Sequence, residues 1–172
     1  MNDFIKTLIA RRSIRKYTDE QVREEDLALI LEAGTYAASG RGAQAGKIVV
    51  IQDKPTIDLL ERLNAEAWGK PDSTPFYGAP TVCVVLADTN VPTYVEDGAL
   101  IMGNMMAAAS SLGVGSCWIH RARKVFATEE GKALLRKWGV GENYAAIAHC
   151  ILGYPAETPT AKPRKEDFIL RV

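Results

Sequence analysis

The chain has 172 residues, 47% hydrophobic and 24% charged, and its 21 basic and 21 acidic side chains cancel at neutral pH. That composition excludes a disordered chain, and the absence of net charge argues against nucleic acid or an anionic membrane as partner. No apolar run reaches the roughly 18–20 residues of a membrane-spanning helix, and the opening residues lack the apolar stretch of a secretory signal. The length suits one globular domain over residues 1–172. Cys83, Cys117 and Cys150 are too sparse for a disulfide framework, so reduced thiols and a cytoplasmic location are expected. These thiols and the two histidines, His120 and His149, show no ligand spacing, so no metal is expected.

Phe4, Ile5, Leu8 and Ile9 share one side of a helical wheel, which predicts an amphipathic opening helix. A second helix is expected from near Glu24, because Glu24, Glu25 and Asp26 complement the dipole of a first turn. Leu27, Ile30, Leu31, Gly34 and Ala38 form its buried stripe, and Ser39-Gly40-Arg41-Gly42 ends it. Residues 48–51 read as a buried strand, 57–67 as a helix, and 68–75 as a loop dense in breakers. A second buried strand covers 81–86, followed by a long helix over 93–112. From Ala99 to Ala109 that helix is apolar almost all round, so it needs cover on every side, from its own domain or from a second subunit. Residues 116–119 read as a third strand, 124–126 and 129–138 as helical turns with Thr128 as N-cap, and 145–152 as the last strand. The tail, 156–172, is polar but carries Phe168, Ile169 and Leu170, so it is expected to dock on the body or on a partner subunit. Helices alternating with short strands imply a layered α/β or α+β domain.

The chemistry-bearing motifs are few. There is no phosphate-binding P-loop, no dinucleotide fingerprint in the right context, and no nucleophile elbow. Cys117 and His120 lie three apart, which on a strand sends their side chains to opposite faces, so they are not read as a dyad. His149 and Cys150 sit in an apolar run and read as core residues. The pairs Glu96-Asp97 and Glu129-Glu130 lie near helix starts, where dipole complementation accounts for them. One feature stands apart: Arg11-Arg12-Ser13-Ile14-Arg15-Lys16 places four cations and a hydroxyl in six residues. Guanidinium forks match phosphate oxygens, and a serine adds a donor; taken alone, the cluster is also what a solvated helix C-terminus looks like. Lys162-Pro163-Arg164-Lys165 forms a second basic group.

The order helix, Arg-Arg-Ser-Ile-Arg-Lys-Tyr, helix, then Ala37-Ala38-Ser39-Gly40-Arg41-Gly42-Ala43-Gln44 resembles the flavin-dependent nitroreductase family. Tyr77-Gly78-Ala79-Pro80 before a strand, the Met-rich helix, Leu112-Gly113-Val114-Gly115-Ser116-Cys117-Trp118, Leu152-Gly153-Tyr154-Pro155 and the Lys162 group complete the pattern along nearly the whole chain. The resemblance implies an α+β, three-layer fold with a central mixed, mainly antiparallel sheet flanked by helices, a tightly bound FMN, and an intertwined homodimer. It implies that Arg11, Arg12 and Ser13 grip the phosphate and ribityl end, with Arg15 toward the N1/O2 edge of the ring. Lys162 and Arg164 add charge from the tail. Ser39, Gly40 and Gln44 contact the cofactor from the other subunit, and the backbone at Trp118-Ile119-His120 approaches the ring, where an N–H reaches N5. Phe76 and Tyr77 are candidate pocket walls, ordinary packing being the other reading of that pair. The implied activity is ping-pong transfer from NADH or NADPH to a nitroaromatic, quinone or other small-molecule electron acceptor, with no side chain in a catalytic role. Alternatives on the same scaffold are a flavin-binding or redox-sensing module without turnover, reductive dehalogenation, or dehydrogenation. One segment departs from the pattern: where relatives carry Asn-x-Gln-Pro-Trp, this chain has Gly42-Ala43-Gln44-Ala45-Gly46, which implies a roomier wall.

Overall fold

A computed structural model describes residues 1–172. Its helices are α1 (Asp3–Ala10), α2 (Glu24–Thr35), α3 (Lys54–Trp68), α4 (Tyr94–Ser111), α5 (Ala122–Val125) and α6 (Glu129–Lys137); its strands are β1 (Gly46–Ile51), β2 (Thr81–Asp88), β3 (Gly115–Ile119) and β4 (Tyr144–Gly153). The strands form one sheet in the order β1-β2-β4-β3, and every ladder is antiparallel. The parallel element of the expected mixed sheet is confined to a single bridge, Ser13 to Ser116. No helix is long and apolar enough to cross a membrane.

Alternation along β2 divides the core in two. Val82, Val84 and Leu86 join Leu60, Leu63, Val125 and Leu134 from α3, α5 and α6 on one face. Cys83 and Val85 join Leu27, Ile30, Met102 and Met105 from α2 and α4 on the other, giving the three expected layers. A bulge interrupts the register between Val85 and Leu86, which pair with Ala148 and Ala146 respectively and leave Ile147 over. The extra residue moves Ala146 to the opposite face from Ala148, so each core receives a small residue from β4.

Local signals explain the element starts. Asn2, Asp53 and Thr128 accept the N–H groups of Ile5, Thr56 and Gly131, capping α1, α3 and α6. Two expectations, on α2 and β1, are corrected, and the cover of α4 and the docking of the tail are not met within one chain. Helix α2 ends at Thr35, ahead of Ser39, leaving Ala38 exposed and Leu31 half-buried; the glycines instead form a 3-10 turn over Gly40–Gly42. Strand β1 is a sheet edge whose only buried residue is Ile51. Helix α4 is covered on one side, by Ile101, Met102, Met105 and Ala109, while Val95, Ala99, Leu100 and Gly103 stay exposed. On its own chain the tail does not dock: Phe168, Ile169 and Leu170 are all at least 75% exposed.

Candidate functional site

After α1 the chain runs extended past the sheet edge. Ser13 bridges Ser116 of β3, Ile14 N–H donates to Ser116 O at 3.0 Å, and Thr18 N–H donates to Tyr154 O at 2.9 Å. Extended backbone alternates its side chains, and this sorts the basic cluster. Arg11, Ser13 and Arg15 all act on the Cys117 thiol: burial pushes it up, while Arg15, a Ser13 hydrogen bond and Arg11 draw it down. Arg12 faces the other way, into a cavity of about 230 Å³ shared with Ile14, Ser116 and Pro155. Its Nη1 donates to the carbonyls of Ile9 at 2.7 Å and Arg11 at 2.6 Å, closing the end of α1. The structure thus brings Arg11 and Ser13, expected at the phosphate end, together with Arg15, expected at the ring edge, and sets Arg12 apart.

The cluster fits an oxyanion ligand. Arg11 Nη1 is buried with no acceptor, and none of the six ion pairs in the chain involves Arg11, Arg12 or Arg15. Buried guanidinium donors without partners are costly, and an anion satisfies them. Arg15 also lies 6.0 Å from the ring centroid of Tyr77, a residue held at φ 54°. Phe76, in contrast, is 1% exposed and packs on His149 with centroids 5.1 Å apart, so it belongs to the core and walls no pocket.

Ser39, Gly40 and Gln44 stand elsewhere. Ser39 and Gln44 border a cavity of about 400 Å³ with Ile48, Val50, Asp97 and Ile101, and no residue of the basic segment lines it. The loop is tightly fixed: Gly40 N–H donates to Asp97 Oδ1 at 3.0 Å, and Gln44 N–H to Ser39 Oγ at 3.1 Å. A Cβ on Gly40 would stand 2.1 Å from Thr93 Oγ1, so only glycine lets the loop approach α4 this closely. Asp97, buried to 3%, therefore pins this loop in addition to complementing the dipole of α4.

At the exit of β3, Trp118 is half-buried on the α4 side and Ile119 is buried, so the side chain of Ile119 is closed to a ligand. Cys117 is buried and His120 exposed, in keeping with their opposite faces. Burial pushes all three thiols up, which leaves them protonated and poor nucleophiles. Lys162 and Arg164 are exposed, and Arg164 bonds only to Lys162 O. Asn64 carries no motif, yet it is fully buried on α3 and bonds to the β3 exit. Its signal is position alone: it continues the inner stripe of Ile57 and Leu60, where an amide is out of place.

An α+β protein with helices on both sides of an antiparallel sheet, and a guanidinium cluster at the sheet edge with a buried unpartnered donor, has the build of an anion- or phosphate-holding enzyme domain. The nitroreductase family model matches residues 8–154. A nitroreductase crystallised with bound FMN from Bacteroides fragilis is 31% identical, with full coverage of both chains and a TM-score of 0.90. A second FMN-bound nitroreductase, from Desulfitobacterium hafniense, is 26% identical, covers 100% of this chain and 99% of its own, and superposes with a TM-score of 0.89. An FMN reductase [NAD(P)H] of Bacillus subtilis is 30% identical over 95% of this chain and 70% of its own length. The chain belongs to the nitroreductase family.

Proposed function

We propose that this chain is an FMN-dependent NAD(P)H oxidoreductase, working as a homodimer by a ping-pong order on nitroaromatics, quinones or related acceptors. The observation that carries the reading is the buried, unpartnered Nη1 of the half-buried Arg11 beside Ser13 and Arg15, a ready phosphate seat. FMN, when bound, accepts a hydride from reduced nicotinamide and passes the electrons to the acceptor. The chain's own part is binding and electrostatics. Arg11 and Ser13 hold the phosphate end, and Lys162 and Arg164 add charge from the exposed tail. Arg15 sets a fixed positive charge at the N1/O2 edge of the ring, where negative charge develops on reduction. The backbone of Trp118, Ile119 and His120 supplies N–H donors, and Tyr77 beside Arg15 borders the entry. No protein nucleophile is required, in keeping with three protonated thiols and a buried His149 whose pKa burial lowers to about 3.

Two observations favour the dimer. Ser39, Gly40 and Gln44 share no cavity with the basic segment, which fits their reaching the cofactor from a second copy. The exposed face of α4, the unburied apolar side of α1 and the tail residues Phe168, Ile169 and Leu170 supply apolar surface for that copy. In this reading residues 1–172 form one FMN-binding unit whose tail docks on the partner, in the cytoplasm. Anaerobic addition of NADH or NADPH to the FMN-loaded protein is expected to bleach the flavin, and a nitro compound or quinone to restore it. Failure of both nucleotides to bleach it refutes the activity.

A further inference from the structure

Asn64 sits in the middle of α3 with no exposed surface, an expensive place for an amide unless its groups are paired. All its partners belong to one turn and the strand behind it. Its Nδ2 donates to His120 O at 2.8 Å and lies 3.4 Å from His149 Nδ1, while its Oδ1 accepts from Arg121 Nε at 3.1 Å. Arg121 stands at φ 78°, a left-handed conformation that side-chain-bearing residues rarely adopt. Its guanidinium is further held 4.5 Å over the Trp68 ring. The amide therefore clamps a strained turn from three directions.

The clamp has a directional consequence. In a trans peptide the C=O and the following N–H point opposite ways, and the chain contains no cis bond. With His120 O tied inward to Asn64, the N–H of Arg121 is aimed outward. No backbone or side-chain acceptor in the chain takes that N–H, nor that of His120. His120 itself is exposed. A fixed, unspent donor at an accessible turn is what a preorganised ligand contact requires.

We infer that Asn64 is a positioning residue for this site, holding the Arg121 N–H as a donor to the electron-accepting edge of the flavin ring. The inference rests on the FMN reading proposed above and extends it to a residue that touches no ligand. A donor held against that edge favours the oxidised ring, because N5 accepts a hydrogen bond before reduction and carries its own N–H after taking the hydride.

The test is amide hydrogen exchange with and without FMN, together with the reduction potential of the bound flavin, in the full-length protein and in Asn64→Leu. In the parent protein the Arg121 amide is expected to exchange readily without FMN and to be protected when FMN is added. In Asn64→Leu that protection is lost, and affinity for oxidised over reduced FMN falls about tenfold, which raises the potential by about 30 mV for a two-electron couple. Asn64→Ser, too short to reach His120 O, repeats the measurement with a smaller packing change. An Arg121 amide indifferent to FMN in the parent protein, or variants that bind FMN with unchanged potential and protection, overturn the inference. A parent protein that takes up no FMN overturns the functional reading itself, and the inference with it.

Discussion

His149 offers a test of the core that does not depend on any ligand. The ring is wholly buried between Phe76 and Phe126, with Asn64 at Nδ1 and no partner at Nε2. Burial lowers its pKa from 6.5 to about 3, opposed by the Ile119 carbonyl and reinforced by the positive charge of Arg121. The folded chain therefore keeps the ring neutral, while the unfolded chain protonates it below about pH 6.5. Stability from this group is present above that pH and is lost as the pH falls from 6.5 toward 3. Between pH 7 and pH 5 the loss is about 2 kcal/mol, the proton-binding free energy available only to the unfolded ring. Urea unfolding at pH 7, 6 and 5 measures it, with His149→Leu as the reference that removes the titration and keeps the volume close. The parent protein is expected to lose about 2 kcal/mol more than the variant over this interval. Parallel loss in both proteins refutes the reasoning, because it means that His149 is protonated equally in the folded and unfolded chains.

Further expectations concern the cofactor seat and the uncovered helix face. Arg11→Ala and Arg15→Ala should each weaken FMN retention about tenfold or more, a charge-assisted hydrogen bond each, measured by titrating apoprotein with FMN. Arg15→Ala should also lower the flavin's potential, since a cation favouring the reduced ring is lost. Arg12→Ala should lower thermal stability through the lost cap on α1 and leave FMN affinity within about threefold, because its side chain faces the other cavity. Equal FMN loss in all three variants contradicts that sorting. Leu100→Asp, on the exposed face of α4, should fold and sediment as a monomer, whereas Met105→Asp should fail to fold because it buries a carboxylate with no partner. A dimeric Leu100→Asp protein removes that face from the interface.

The layers and most elements are legible in the sequence because their signals are local. Thr128 caps α6 as its spacing to Gly131 requires, and the β-branched run of β2 is buried throughout. The errors arise where a second element decides the outcome. Ile48, Val49 and Val50 have the composition of a buried strand, yet β1 lies at the sheet edge because strand order is set by long-range pairing with β2 alone. The apolar circumference of α4 states that cover is needed and cannot state who provides it. One chain supplies α2 and the sheet on one side and leaves Leu100 47% exposed on the other.

The site divides along the same line. Arg11, Ser13 and Arg15 are legible as a candidate cofactor seat through the family resemblance, since residue type alone fits a solvated helix end as well. The diversion of Arg12 follows from extended geometry after α1, which the sequence signals only through the i, i+2, i+4 spacing of the other three. Phe76 shows the converse failure: its position before a strand suits a wall, but His149 and Phe126 draw the aromatic inward. Asn64 is the hardest case, since nothing in its neighbourhood announces a ligand. Its meaning appears only when α3, the β3 exit and β4 are brought together, and then three hydrogen-bonding contacts converge on a single amide. A buried polar residue that is fully paired, and paired to a turn with free N–H groups, is better explained by what the turn must hold than by what the core needs.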